Sequence, residues 1–248
     1  MIKARHSFWA DQLFRLYVTR LLKRHFRRFH LLGERPSPDP AYPLLLLPNH
    51  SSWWDGFWVY LLNQQLFQRQ FYVMMLEREL LKYPFFSRIG AFGIDPDNPK
   101  GILHTLQYTV EVMNAPGDNG KPLVCIFPQG ELRPWARRPL DYKRGIDWII
   151  EKHQGNINVV PLAMRAEYLG QQHPEVFFLF GKSYLFNAGN FPGIDFLEAV
   201  ENFLLDDLAL RIIYGESGED LFQVGPDHQS RGAAAPEMPQ GGDVRTNW

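Results

Sequence analysis

Apolar side chains recur at helical spacing over residues 7–32. Phe14, Val18, Leu21, Leu22 and Phe29, with His25 among them, share one face, while Arg20, Arg24, Arg27 and Arg28 fall on another. The pattern predicts a basic amphipathic helix. Next comes GERPSPDPAYP (33–43), whose four prolines predict an extended connector, because proline lacks an amide donor and biases the residue before it away from helix. From Tyr42 onward, short apolar runs alternate with helical stretches. Residues 44–47, 71–75, 123–127, 159–164 and 176–180 read as buried strands, some of them hairpin partners rather than parallel neighbours. Such alternation predicts an α/β fold: a mixed, largely parallel sheet covered by helices, with an N-terminal amphipathic helical appendage. Residues 195–214 read as a further helix, with Asp195 as its cap and Glu198 three positions later. The stretch from Gly215 is rich in Gly, Pro and Gln and predicts a flexible tail. The expected divisions are therefore helix and connector at 1–40, one domain at 41–214, and a tail at 215–248.

Composition adds that the chain is globular. Apolar residues make up 45% and aromatics 15% of its 248 positions, which is enough for one sizeable core. The net charge of -1 conceals an asymmetry, since residues 1–35 hold nine Lys/Arg against Asp11 and Glu34. A helix of that charge can lie in a lipid interface with its cations over anionic headgroups, each contributing about 1 kcal/mol. It can equally pack on the core with a solvated basic face, and the two are compatible. No apolar run of spanning length occurs, so the expectation is peripheral attachment to the inner, cytoplasmic face of a membrane. The single cysteine, Cys125, fits a reducing compartment and excludes an internal disulfide or a multi-cysteine metal cluster. The acidic remainder argues against nucleic acid as a partner.

The candidate chemistry sits where the apolar run YPLLLLP meets Asn49, His50, Ser51, Ser52, Trp53, Trp54 and Asp55. The carboxyl end of a buried strand is where open α/β sheets place their ligands. Histidine accepts protons near neutral pH, and a carboxylate on its other ring nitrogen fixes the tautomer. Alone, a His and an Asp five apart more often make a surface or capping cluster. No metal ligand set accompanies them, and no Gly-x-Ser-x-Gly elbow marks a serine hydrolase.

Further stretches supply context. NHSSWWD resembles the Asn-His-x-Ser-x-x-Asp signature of the glycerolipid (lysophospholipid) acyltransferase family. MLERELLKYPFFSRIGAFGID (75–95), FPQGELR (127–133) with YKRG (142–145), and VVPLAM (159–164) are similar to the family's later blocks, in the same order. The resemblance covers about residues 40–185. It implies acyl transfer from acyl-coenzyme A or acyl-carrier protein to a hydroxyl of a lysophospholipid, glycolipid or related lipid alcohol, with His50 as general base and Asp55 as its orienting partner. No cofactor is implied beyond the acyl donor as co-substrate. Substrate-binding positions implied by the same blocks are Asn49, Ser52, Phe127, Pro128, Gln129, Gly130, Glu131, Arg133, Lys143, Arg144 and Gly145. Arg133, Lys143 and Arg144 are the expected phosphate-binding cations, and backbone N–H groups around Gly130 are candidate oxyanion donors. The aromatics Trp53, Trp54, Phe57, Trp58 and Tyr60, and the stretch Tyr83 to Phe86, serve as an acyl-chain wall, a membrane rim or ordinary core. Gln129 stands where many relatives carry Glu, and Pro96 where the second block usually ends in Arg, which points to an acceptor headgroup other than a phosphate. The alternative reading is a catalytically silent protein that binds lipid or a partner through the same fold.

Overall fold

The computed structural model describes residues 1–115 and 120–222. One sheet organises them. Its strands are β1 (Phe29–Leu32), β2 (Leu44–Pro48), β3 (Phe71–Leu76), β4 (Ala91–Ile94), β5 (Leu123–Cys125), β6 (Ile157–Glu167), β7 (Glu175–Phe180), β8 (Tyr184–Phe186) and β9 (Glu219–Asp220). They lie in the order β4-β3-β5-β2-β6-β7-β1-β9, with β8 beside β6. Pairing from β4 through β6 is parallel, as is β7 with β1, while β6–β7, β6–β8 and β1–β9 are antiparallel. Six helices cover it: α1 (Phe8–His25), α2 (Asp55–Leu62), α3 (Glu77–Lys82), α4 (Pro99–Asn114), α5 (Gly145–Lys152) and α6 (Ile194–Ile213).

Strand β2 shows why the apolar runs are continuous rather than alternating. All five of its residues are buried, because a central parallel strand is covered on both faces. Leu44 and Leu46 point into one core with Phe14, Val18 and Leu22 of α1 and Trp58 of α2. Leu45 and Leu47 point into the other, against Ile149 of α5 and Leu205 and Leu208 of α6. The result is the expected mixed, largely parallel sheet between helical layers, with α1 at the amino-terminal end.

Several boundaries differ from the pattern. The first helix stops at His25 because Phe26 turns extended, and residues 29–32 become β1, inserted between β7 and β9. Phe29, expected on the helix, is therefore a sheet residue that stacks on Phe178. Helical spacing and a four-residue buried strand look alike when the run is short. Asp195 does not cap α6: Gly193 occupies that position, and the first amide donor, Ile194 N–H, goes to Asp147 Oδ1 of α5 at 2.8 Å. Glu198 instead accepts the N–H groups of Asp141 and Tyr142, both at 3.1 Å. The order expected to end at Gly215 continues through residue 222. There, β9 pairs with β1, Arg35 bridges to Glu219, and Leu221 and Phe222 enter the core. The rest of the predicted tail, 223–248, lies outside the described residues. The proline-rich connector is fixed by Asn158 of β6, which accepts from Asp39 N–H at 2.9 Å and donates to Asp39 O at 2.8 Å.

Helix α1 has two apolar faces. Ala10, Phe14, Val18 and Leu22 are buried, whereas Phe8, Trp9, Leu13, Leu16 and Tyr17 are exposed. Further along, its exposed side turns basic, with Arg20, Lys23 and Arg24. Phe85, also exposed, packs 6.0 Å from Phe14, and Trp53 packs 4.7 Å from Phe57 beneath it. No helix among the described residues is long and apolar enough to cross a membrane.

Gly90, which joins the turn at Pro84–Ile89 to β4, has φ +106, and a Cβ there would lie 1.9 Å from the carbonyl oxygen of Phe71. Gly90→Ala is expected to destabilise the fold by about 2 kcal/mol or more, from backbone strain and the clash together. Chemical denaturation measures this directly, and an unchanged midpoint would contradict the geometry.

Candidate active site

The end of β2 and the start of α2 enclose a six-residue turn, 49–54, that carries the polar cluster. Asp55 opens α2, where a negative group is favoured by the helix dipole. Its side chain is completely buried. Oδ2 accepts Ser51 N–H at 2.7 Å, Ser52 N–H at 2.9 Å and His50 Nδ1–H at 2.9 Å, while Oδ1 accepts the Ser52 hydroxyl at 2.6 Å. Four donors on one carboxylate replace the water it gives up. They also fix the imidazole: with Nδ1 engaged, Nε2 is the nitrogen left to accept a proton. The His50 side chain remains 24% exposed, so solvent or substrate reaches it.

The loop after β5 closes over the other side. The Phe127 ring stacks on the imidazole at 4.2 Å, Gln129 Oε1 accepts His50 N–H at 2.6 Å, and Arg133 N–H donates to His50 O at 2.9 Å. Three residues of 127–133 thus grip His50 from ring to carbonyl. The Gln at 129 meets its structural task without a charge, because an amide carbonyl accepts a backbone N–H as a carboxylate does. Cys125, beneath this turn, is fully buried, and burial together with nearby Asp55 pushes its thiol well above the ordinary range. It is not a nucleophile in waiting.

Several residues expected to bind substrate make internal bonds in the fold. Asn49 is buried, and its amide accepts Met164 N–H at 2.7 Å and donates to Met164 O at 3.1 Å, locking the turn to β6. Ser52 gives its proton to Asp55 and its oxygen to Trp54 N–H. Arg133, expected to meet a phosphate, is only 7% exposed and is neutralised by Glu131 at 2.7 Å and Asp141 at 2.5 Å. The guanidinium holds the Asp141 carboxyl below its usual range. Gly130 N–H, a candidate oxyanion donor, closes a turn onto Phe127 O. Pro128 accepts Lys143 N–H, and Gly145 begins α5 where a Cβ would press on Leu106 at 3.2 Å. Lys143 makes no ion pair among the described residues, and its stem runs beside Gly130, which has φ +72. Arg144 is exposed, 3.5 Å from Asp147 and 3.8 Å from Asp195. Of the expected cations, Lys143 is the one left uncommitted close to the loop that holds His50.

Of the clustered aromatics, Phe57, Trp58 and Tyr60 are core, the last donating its hydroxyl to Asp11 of α1 at 2.8 Å. Trp53 is exposed beside the polar turn. A shallow cleft of about 210 Å³ lies between Trp54, Trp58, His25 and Tyr168 and reaches Ser52. Sequence reasoning missed the part played by Met164, which acts through its backbone and leaves no side-chain signature. Among the described residues no group of three or more His, Cys, Asp or Glu side chains is placed to hold a metal ion.

An acyltransferase family model matches residues 28–165, from just before β1 into β6, a span that contains the whole polar turn and the loop that grips it. The chain belongs to the acyltransferase family. The resemblance drawn from the ordered blocks is borne out. Among solved structures, the fold is similar to the crystal structure of PlsC, the 1-acyl-sn-glycerophosphate (LPA) acyltransferase from Thermotoga maritima. The two are 14% identical with a TM-score of 0.54, over 84% of this chain and 81% of that one. No curated protein matches the chain by sequence.

Asn49→Ala is expected to remove two buried hydrogen bonds, each contributing about 1 kcal/mol, and to release the turn from β6. Thermal unfolding should report a loss of about 2 kcal/mol, and stability equal to wild type would show that the Met164 contact carries nothing.

Proposed function

We propose that this protein moves a fatty acyl group from an acyl thioester, on coenzyme A or a carrier protein, to a hydroxyl of a lipid alcohol at a membrane surface. The observation that carries the reading is the buried Asp55 carboxylate holding Nδ1 of a partly exposed His50. Nε2 takes the proton of the acceptor hydroxyl as the oxygen attacks the thioester carbonyl carbon. The tetrahedral adduct then collapses, the carbon–sulfur bond breaks, and the imidazolium returns its proton to the departing thiolate. Asp55 stabilises the imidazolium between these steps, as the acid of a catalytic triad does. The thioester is already activated, so the scheme needs no covalent acyl-enzyme.

Two features bear on the acceptor. Arg133 is neutralised by carboxylates, and the second block ends in exposed Pro96 rather than a cation. Both favour an acceptor without a phosphate, such as a glycolipid or an amino-acid-linked lipid, over a lysophosphatidic acid like the one named for PlsC. Lys143 is the residue we assign to a donor or acceptor anion. Membrane contact is supported by the exposed Phe8, Trp9, Leu13, Leu16 and Tyr17 of α1, continued by Trp53 and Phe85 and followed by Arg20, Lys23 and Arg24.

His50→Ala is expected to lower kcat by about 10²–10⁴-fold in an assay of thiol release with pooled lipid acceptors, with binding of donor little changed. Retained turnover would remove His50 from the mechanism. Trp9→Glu with Leu13→Glu should weaken binding to anionic vesicles at least about tenfold, since two apolar anchors become charged. Co-sedimentation at low salt measures it, and unchanged binding would exclude α1 as the anchor.

A further inference from the structure

Glu201 stands at helical spacing within the apolar stripe of α6, among Leu197, Leu204, Leu205 and Leu208, and is completely buried. Neither of its carboxyl oxygens has a hydrogen-bond partner among the described residues. The carboxyl lies near two backbone N–H groups, Leu162 of β6 and Asn49 at the end of β2. Tyr142, whose buried hydroxyl is likewise unpartnered, is a further neighbour. Asn49 N–H makes only a long bond, 3.3 Å, to Leu162 O, so the sheet holds it weakly just before His50. The charged groups that face this spot are few. Arg138, from the loop before α5, is paired with Asp206 at 3.3 Å and lies over Trp135. Glu198, three residues earlier on α6, has both oxygens committed to Asp141 and Tyr142 N–H.

A carboxyl taken out of water without a paired cation keeps its proton. A neutral acid needs no paired cation and still has a carbonyl oxygen to accept, and the N–H groups of Leu162 and Asn49 lie near it. We infer that Glu201 is a positioning residue for the general base, its neutral carboxyl packed against the Leu162 and Asn49 N–H groups so that the turn carrying His50 is held from behind. Burial pushes this carboxyl up to about 8. Ionisation would therefore fall at mildly alkaline pH, place an anion behind the turn and displace the backbone that sets His50. Because the folded-state value is raised, stability too declines as pH rises from the ordinary carboxyl range toward about 8, and levels off above it. The inference rests on the general-base reading proposed above, but its central feature, a buried neutral acid, is observable without turnover.

The test joins infrared difference spectroscopy to a pH profile on the full chain. Wild type is expected to show the carbonyl band of a protonated carboxylic acid at neutral pH that is absent from Glu201→Gln and fades in wild type with a midpoint near pH 8. Wild-type kcat should fall relative to Glu201→Gln by about tenfold one pH unit beyond that midpoint, while the two agree within about twofold at neutral pH. Glu201→Leu, which can neither donate nor accept, should lower kcat at every pH with KM nearly constant. A missing band, or a Glu201→Gln profile superimposable on wild type, would overturn the inference. Where wild type turns over no donor, the general-base reading fails and the infrared band alone decides whether Glu201 is the neutral acid described.

Discussion

A buried carboxylate that must find four donors governs how this chain is built around residues 49–55. Asp55 has no water to satisfy it, so Ser51 and Ser52 offer their backbone N–H groups, Ser52 its hydroxyl, and His50 its ring nitrogen. That arrangement is possible only if the turn bends back on the first residue of α2, which in turn needs β2 to end where it does. Leaving even one of those donors out would expose the fold to the penalty of an undersatisfied buried charge. The same demand that stabilises the turn also sets the imidazole in one tautomer, with its other nitrogen toward solvent. Structure and chemistry share a single interaction.

The rest of the site clamps this turn from three directions. Asn49 ties it to β6 through Met164, residues 127–133 grip the ring and backbone of His50, and α6 backs it with Glu201. The loop 127–133 is itself held by Arg133 between Glu131 and Asp141, so a guanidinium that looks like a ligand for a phosphate serves as an internal strut. Rigid support of this kind is what orienting a general base requires, since small misplacements of the reacting atoms are costly in rate. It also leaves few free cations at the site, which is why the headgroup reading turns away from phosphate.

Much of this was legible in the sequence, and the reasons it was not complete are physical. Continuous apolar runs such as LLLL at 44–47 mark strands covered on both faces, and their alternation with helices gave the layered architecture. The pairing of His50 with Asp55 was implied by the family resemblance of the ordered blocks, since a spacing of five does not establish it alone. Strand β1 was hidden in the helical pattern, since four buried residues carry no period of their own, and β9 was hidden in a segment of polar composition. The internal bonds of Asn49 and Arg133 were not legible, because a polar residue in a motif looks the same whether it faces a substrate or a neighbouring strand. Only the partners distinguish the two, and those partners, Met164 and Asp141, are 115 and 8 residues away.

In the proposed mechanism Asp55 acts through His50 and not independently of it. A double-mutant cycle on acyl-transfer turnover, comparing His50→Ala, Asp55→Asn and the combined variant with wild type, tests it most directly. Asp55→Asn is expected to lower kcat by on the order of 10²-fold or more when His50 is present and to add nothing once His50 is gone. Losses that simply multiply in the combined variant would mean that the carboxylate and the imidazole work separately, and the proposed general-base arrangement would be wrong.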